Sequence, residues 1–95
     1  SKEYRIGLLA PLTGDFSKAG AEVREGMELA IEELDNQGIY VEAYFEDACL
    51  PAEAVRVSKK LIEIDKVHGV AASYCVIGTT AAAPLFEAAH IPLFH

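Results

Sequence analysis

Tryptophan is missing from this chain, methionine occurs once, and positive charge is short: 8 lysines and arginines stand against 15 aspartates and glutamates, a formal net charge of −7. That deficit argues against nucleic acid and anionic membrane surfaces as partners, because both require basic patches. It does not specify a cationic ligand, since solvated acidic faces account for it equally well. No apolar run approaches the ~20 residues that would span a bilayer. The start, Ser1-Lys2-Glu3, lacks the basic-then-apolar pattern of an export signal, so any such signal is expected to have been removed or never to have existed. Nucleotide fingerprints are missing too. The segment Pro11 to Gly20 lacks Gly-x-Gly-x-x-Gly, and no Gly-Lys-Ser/Thr follows a strand-like run. His68, His90 and His95 sit singly, without an i, i+4 partner or a cysteine cluster, so neither a metal site nor a cofactor is expected.

What remains is an apolar chain of one-domain size. Its 95 residues are 52% hydrophobic, which excludes disorder and implies a real, if modest, core. Tyr4 to Ala10 reads as a first strand, ended by Pro11 and the turn Thr13-Gly14-Asp15. Val23, Met27, Ala30, Ile31 and Leu34 then recur on one helix face, with glutamates largely opposite, and Asn36-Gln37-Gly38 supplies a stop. Ile39 to Phe45 is β-branched and aromatic, a second strand. Pro51 suits a first helical turn, after which Ala54, Val57, Leu61 and Ile64 keep helical spacing. Gly69 to Tyr74 reads as a third strand, Ala81 to Ala89 as a third helix that Pro84 restricts near its start, and Ile91 to Phe94 as a fourth strand. The order βαβαβαβ predicts the α/β class: a three-layer open parallel sheet, right-handed crossovers, helices on both faces. There is no linker, repeat or low-complexity tract.

Open parallel sheets bind ligands beyond the carboxyl ends of their strands. Three segments reach that edge: Pro11 to Gly20, Glu46 to Leu50, and Cys75 to Thr80. In the last, backbone N–H groups at a helix start, beside the Thr79 and Thr80 hydroxyls, suit a carboxylate or phosphate; the alternative is that Thr79 or Thr80 merely caps the helix. Of the acids Glu46 and Asp47, at least one is expected on the rim rather than facing a ligand. Cys75 at a strand-to-helix turn could be a nucleophile with a lowered pKa, but its neighbours Val76 and Ile77 are apolar and no base is nearby in sequence. Pairing with Cys49, the only other cysteine, is favoured by the placement of both after strands that flank strand one. It would stabilise by about 3 kcal/mol on the chain-entropy model and imply an oxidising compartment.

Together these segments resemble the amino-terminal lobe of a type I periplasmic solute-binding protein of the branched-chain amino acid (leucine/isoleucine/valine) ABC transporter family. The likeness rests on Ile6 to Gly14, on Gly20 and on Gly26 through Ala30. It rests further on Glu46-Asp47-Ala48-Cys49-Leu50-Pro51-Ala52-Glu53-Ala54-Val55, on Cys75 through Thr79, and on Phe86-Glu87 with Ile91-Pro92. The resemblance implies extracytoplasmic, periplasmic capture of an amino acid or similar small polar ligand, delivery to an ABC permease, no catalysis, and a Cys49–Cys75 disulfide. It places the ligand's carboxylate at the turn after the third strand and at another after the fourth, with a second lobe supplying groups for the ammonium and closing over the ligand. Val76 stands where relatives often carry a serine, so Ile77, Gly78, Thr79 and Thr80 become the candidate carboxylate group. Ala19 stands where an aromatic is frequent, with Phe16 close by, and both join the candidate ligand contacts. The turn before strand two is reduced to Asn36-Gln37-Gly38-Ile39.

Two other readings use the same residues: a ligand-sensing receptor ectodomain of the same fold, and a cysteine-dependent enzyme built on Cys75. A response-regulator domain would want paired acids after strand one, where Ala10-Pro11-Leu12 stands. The resemblance also implies that residues 1–95 are a single partial lobe, with the rest of that lobe and a second lobe beyond His95. On that expectation the isolated chain binds ligand weakly or not at all, and the sheet edge at Ile91 to Phe94 invites self-association.

Overall fold

The computed structural model describes residues 2–95. Its elements are β1 (Lys2–Ala10), α1 (Ser17–Asp35), β2 (Ile39–Asp47), α2 (Pro51–Lys60), β3 (Gly69–Ala72), α3 (Val76–Ala88) and β4 (Leu93–Phe94), with a π-helical turn at Leu61–Asp65 prolonging α2. The strands form one parallel sheet in the order β2-β1-β3-β4, the open α/β sheet that the alternating pattern predicts. Ala10 pairs with Asp47 and Leu9 with Ala72. Three strands therefore end at one level, which is what aligns their following loops into a common edge.

Side chains alternate across the sheet, and β1 shows both faces. Tyr4 and Ile6 look toward α1, where Met27, Ile31 and Leu34 lie over them with Ile39 and Val41. Leu9 points the other way, into a core made with Ala54 and Val57 of α2, Leu61, Val67, Val70 and Ala72 around β3, and Ala82 and Phe86 of α3. α2 and α3 pack on each other over this face, and the close approach of Leu61 to the sheet has a sequence cause at Gly7 of β1. A Cβ there would stand 2.9 Å from a Leu61 methyl. The two helical layers are unequal. α2 and α3 bury residues along their length, whereas α1 buries only Gly20.

Three boundaries differ from the sequence reading. β3 ends at Ala72, because Tyr74 turns left-handed (φ 67). α3 begins at Val76, five residues before Ala81, and carries Pro84 in its interior; packing against α2 outweighs the lost hydrogen bond that made a later start look necessary. β4 is only Leu93–Phe94, although Pro92 O already accepts from Val70 N at 3.0 Å.

Ser58 of α2 is fully buried (0% exposed), and its Oγ has no hydrogen-bond partner among the described residues. An unsatisfied buried hydroxyl costs about 1–3 kcal/mol. Ser58→Ala is therefore expected to leave stability unchanged or raise it by about 1 kcal/mol, read as a higher urea midpoint at constant m-value.

Candidate functional site

At the carboxyl edge the chain is tied down before any ligand is considered. Ala48 N donates to Ala10 O (3.1 Å) and Ser73 N to Leu9 O (3.0 Å), so all three strand ends are laced together. The loop after β1 is held by Asp47, whose Oδ1 accepts from Leu12 N (2.8 Å) and Thr13 N (3.3 Å) while Oδ2 accepts from the Thr13 hydroxyl (2.5 Å). The hydroxyl bond, then the two amides, pull the Asp47 pKa below its ordinary 3.8, outweighing the opposing desolvation. A depressed folded-state pKa means stability that is present above pH 3.8 and fades as pH falls through the lower value. Asp47→Asn is expected to weaken loop anchoring at neutral pH and to flatten the acid limb of the stability–pH curve below pH 3.8, measured by denaturant titration.

The neighbouring acids are engaged as well. Glu46 Oε2 accepts from Lys60 Nζ at 2.8 Å, which also bonds Asp65 Oδ2 at 2.6 Å. Asp65 first and Glu46 second raise the Lys60 pKa, keeping the cation charged. Glu53, three residues into α2, turns back to accept from Leu50 N (3.2 Å) and Cys49 N (3.4 Å), closing the helix start. None of this was visible as spacing, because the carboxylates at the end of β2 find their donors on two other segments, the loop after β1 and Lys60 of α2.

Cys49 and Cys75 form a disulfide, with Cα atoms 4.9 Å apart, inside the range a bridge needs. A bonded sulfur is no thiolate, so the nucleophile reading of Cys75 is set aside. The bridge seats the first turn of α3 on the Cys49 carbonyl: a Cβ on Gly78 would lie 2.3 Å from Cys49 O. Cys75 is the N-cap residue and makes no side-chain cap bond, so neither Thr79 nor Thr80 caps the helix. Thr79 is buried and its N–H already bonds Cys75 O at 3.0 Å, while Val76 N bonds Tyr74 O at 3.0 Å. The first-turn amides of Ile77 and Gly78 are thus the ones without a backbone acceptor.

Beside them lies a hollow of about 250 Å³ lined by Phe16, Cys49, Tyr74, Cys75, Val76 and Ile77. Of the six residues anticipated as ligand contacts, Phe16 and Ile77 line it. Gly78 and Thr79 sit behind it, buried; Ala19 and Thr80 lie on α1 and α3 outside the lining. Tyr74 was missed. It read as the end of a strand, and only its position immediately before Cys75 hinted at a turn. In the left-handed region it carries a strain of about 1–2 kcal/mol, held by Cys75 N to Ser73 O (2.8 Å) and by the bridge itself.

Residues 3–95 match the family model described as Periplasmic binding protein. The leucine-, isoleucine-, valine-, threonine- and alanine-binding protein of Pseudomonas aeruginosa is 33% identical over 87% of this chain and 23% of its own length. Among solved structures, the branched-chain amino acid transporter substrate-binding protein of Streptococcus pneumoniae, in complex with isoleucine, is 26% identical with a TM-score of 0.82, covering 97% of this chain and 28% of that one. The ABC transporter solute-binding protein of Rhodopseudomonas palustris BisB5, in complex with 3,4-dihydroxybenzoic acid, is 28% identical with a TM-score of 0.86, covering 96% and 26%. This chain spans about a quarter of the length of the curated relatives it matches.

Proposed function

Since the chain belongs to the periplasmic binding protein family, we propose that it forms part of the extracytoplasmic solute-binding component of an ABC importer. In that role it would capture an amino acid or similar small polar ligand for delivery to the permease. The observation that carries the reading is the hollow at the strand ends, where Ile77, whose first-turn amide has no backbone acceptor, stands beside the bridge and Phe16, with Gly78 buried behind it. Amides at a helix N-terminus favour an anionic group, and the apolar lining favours a compact apolar body. The carboxylate would rest on Ile77 and Gly78, with Thr79 and Thr80 supporting them from within α3, and with Phe16 and, more remotely, Ala19 bordering the ligand from α1. Residues 1–95 would be one part of a lobe, and a second lobe would close over the ligand.

A hollow of about 250 Å³ falls below the ~300–1,000 Å³ of pockets that engulf a ligand. The 95-residue chain alone is therefore expected to bind free amino acids or benzoates weakly or not at all, while the full-length protein binds a member of the same panel at micromolar concentration or below. Calorimetry on both tests this: micromolar affinity in the short chain overturns the two-lobe requirement, and a full-length protein inert to the whole panel overturns solute capture. Self-association of the short chain is part of the same proposal. Phe94 on the β4 edge is 67% exposed, and open strand edges recruit further strands. A monomer mass independent of concentration in sedimentation would refute it.

A further inference from the structure

We infer that the flank of the sheet where α1 overhangs β2, away from the strand ends, is a docking groove for a basic, extended segment of another protein, which adds to β2 as a further strand. Among the described residues β2 pairs only with β1, so one side of its backbone, Ile39–Asp47, is open. Ala48 N bonds Ala10 O, and alternation from that bond directs the amides and carbonyls of Val41, Ala43 and Phe45 away from β1. The side chains of the same three residues floor a groove of about 510 Å³ whose wall is α1. Strand addition uses this pairing of features: the open backbone supplies affinity and the groove beside it supplies choice.

Charge specifies the occupant. Glu28, Glu32 and Asp35 of α1 line the groove, and all three are exposed. Glu32 and Asp35 have no cationic partner among the described residues, and Arg24 reaches Glu28 only at 3.8 Å. The Arg24 guanidinium also lies over the Phe45 ring, 4.5 Å from its centre, so the floor already receives one cation. Spacing fits as well. Glu28 to Asp35 spans about 10 Å along the helix, and alternate side chains of an extended strand stand about 6.7 Å apart. Two basic side chains, two residues apart in the segment, therefore reach the three carboxylates while their apolar stems lie on Val41 and Ala43. A second copy of this chain is the wrong partner, because it brings the same carboxylates and a net charge of −7.

The test is fluorescence anisotropy on the full-length protein, with a labelled peptide of alternating lysine and valine as the probe. The expected result is saturable binding that falls at least tenfold when Glu32→Gln and Asp35→Asn are combined, and at least tenfold when the probe's backbone amides are N-methylated. Ala43→Pro makes the matching change in the protein and should weaken the probe to the same extent. It deletes an outward amide that β1 does not use, which an edge strand tolerates, and circular dichroism checks the fold. Absence of binding overturns the inference. Undiminished binding of the N-methylated probe overturns strand addition, and undiminished binding by the double amide variant overturns the basic partner, as does an alternating glutamate–valine probe that binds equally well. Hydrogen exchange supplies a further check: amides of Val41, Ala43 and Phe45 already protected in the unliganded protein overturn the inference, because the edge is then covered by the protein itself or by a second copy, which sedimentation tells apart. Solute capture at the strand ends stands or falls separately from all of these outcomes.

Discussion

Gly78→Ala is expected to cost about 3 kcal/mol, at the upper end of overpacking penalties, and to lower the melting temperature by about 12–24 °C for a domain of this size. The added Cβ would stand 2.3 Å from Cys49 O and 3.0 Å from Cys49 C, with the Ala54 methyl at 3.4 Å. Flexible side-chain ends can move aside; a carbonyl cannot when its own residue is bridged to the helix that carries the intruding methyl. Gly20 makes the instructive contrast. Its Cβ would come even closer to a carbonyl, 1.9 Å from Pro11 O, yet Gly20 lies on α1, which buries nothing else and can shift as a body. Gly20→Ala is thus expected to be the milder of the two despite the worse overlap. Thermal melts of both variants decide it. A loss below about 1 kcal/mol at Gly78 would mean that α3 slides off the Cys49 carbonyl.

Removing the bridge is expected to be comparably severe. Cys49 and Cys75 are 26 residues apart in sequence, and freeing a loop of that length costs about 3 kcal/mol on the chain-entropy model. Against the ~5–15 kcal/mol total of an ordinary domain that is a large share. Replacing both cysteines with alanine should lower the denaturant midpoint accordingly, and dithiothreitol should lower the native protein's midpoint by the same amount while leaving the double variant unmoved. The two perturbations share a contact, so they should not add. Once the bridge is gone, the Cys49 backbone can retreat from position 78, and Gly78→Ala should cost less in that background than in the parent.

The fold was readable because alternation of short apolar runs with helical periods survives packing almost intact: β1 and β2 fall within two residues of their expected limits, and α1 stops where Asn36 was expected to end it, although it begins at Ser17, six residues before Val23. Failures cluster around residues 73–80. Pro84 suggested a late start for α3, but contact with α2 overrode propensity. Tyr74 looked like strand because an aromatic after Val70-Ala71-Ala72-Ser73 is ordinary β composition, and nothing local announces a left-handed tyrosine. The roles of Asp47, Glu46 and Glu53 were hidden for a different reason. Each carboxylate takes its meaning from donors on other segments: Leu12 and Thr13 for the first, Lys60 for the second, the Cys49 and Leu50 amides for the third. The cysteines were legible because a covalent bridge needs a single partner and only one was available.

The unequal helical layers bear on how the molecule opens. α1 is 19 residues long and buries only one of them, and its apolar stripe of Met27, Ile31 and Leu34 leaves a gap of about 370 Å³ over Tyr4, Ile6, Ile39 and Val41. The opposite layer is stitched by Phe86, Leu61 and Val57, none more than 2% exposed. Amide protons of α1 should therefore exchange with solvent orders of magnitude faster than those of β3 and α2, through a partial opening in which α1 lifts away while the rest of the sheet stays paired. A protease would meet the same order, cutting first within Glu22 to Glu33.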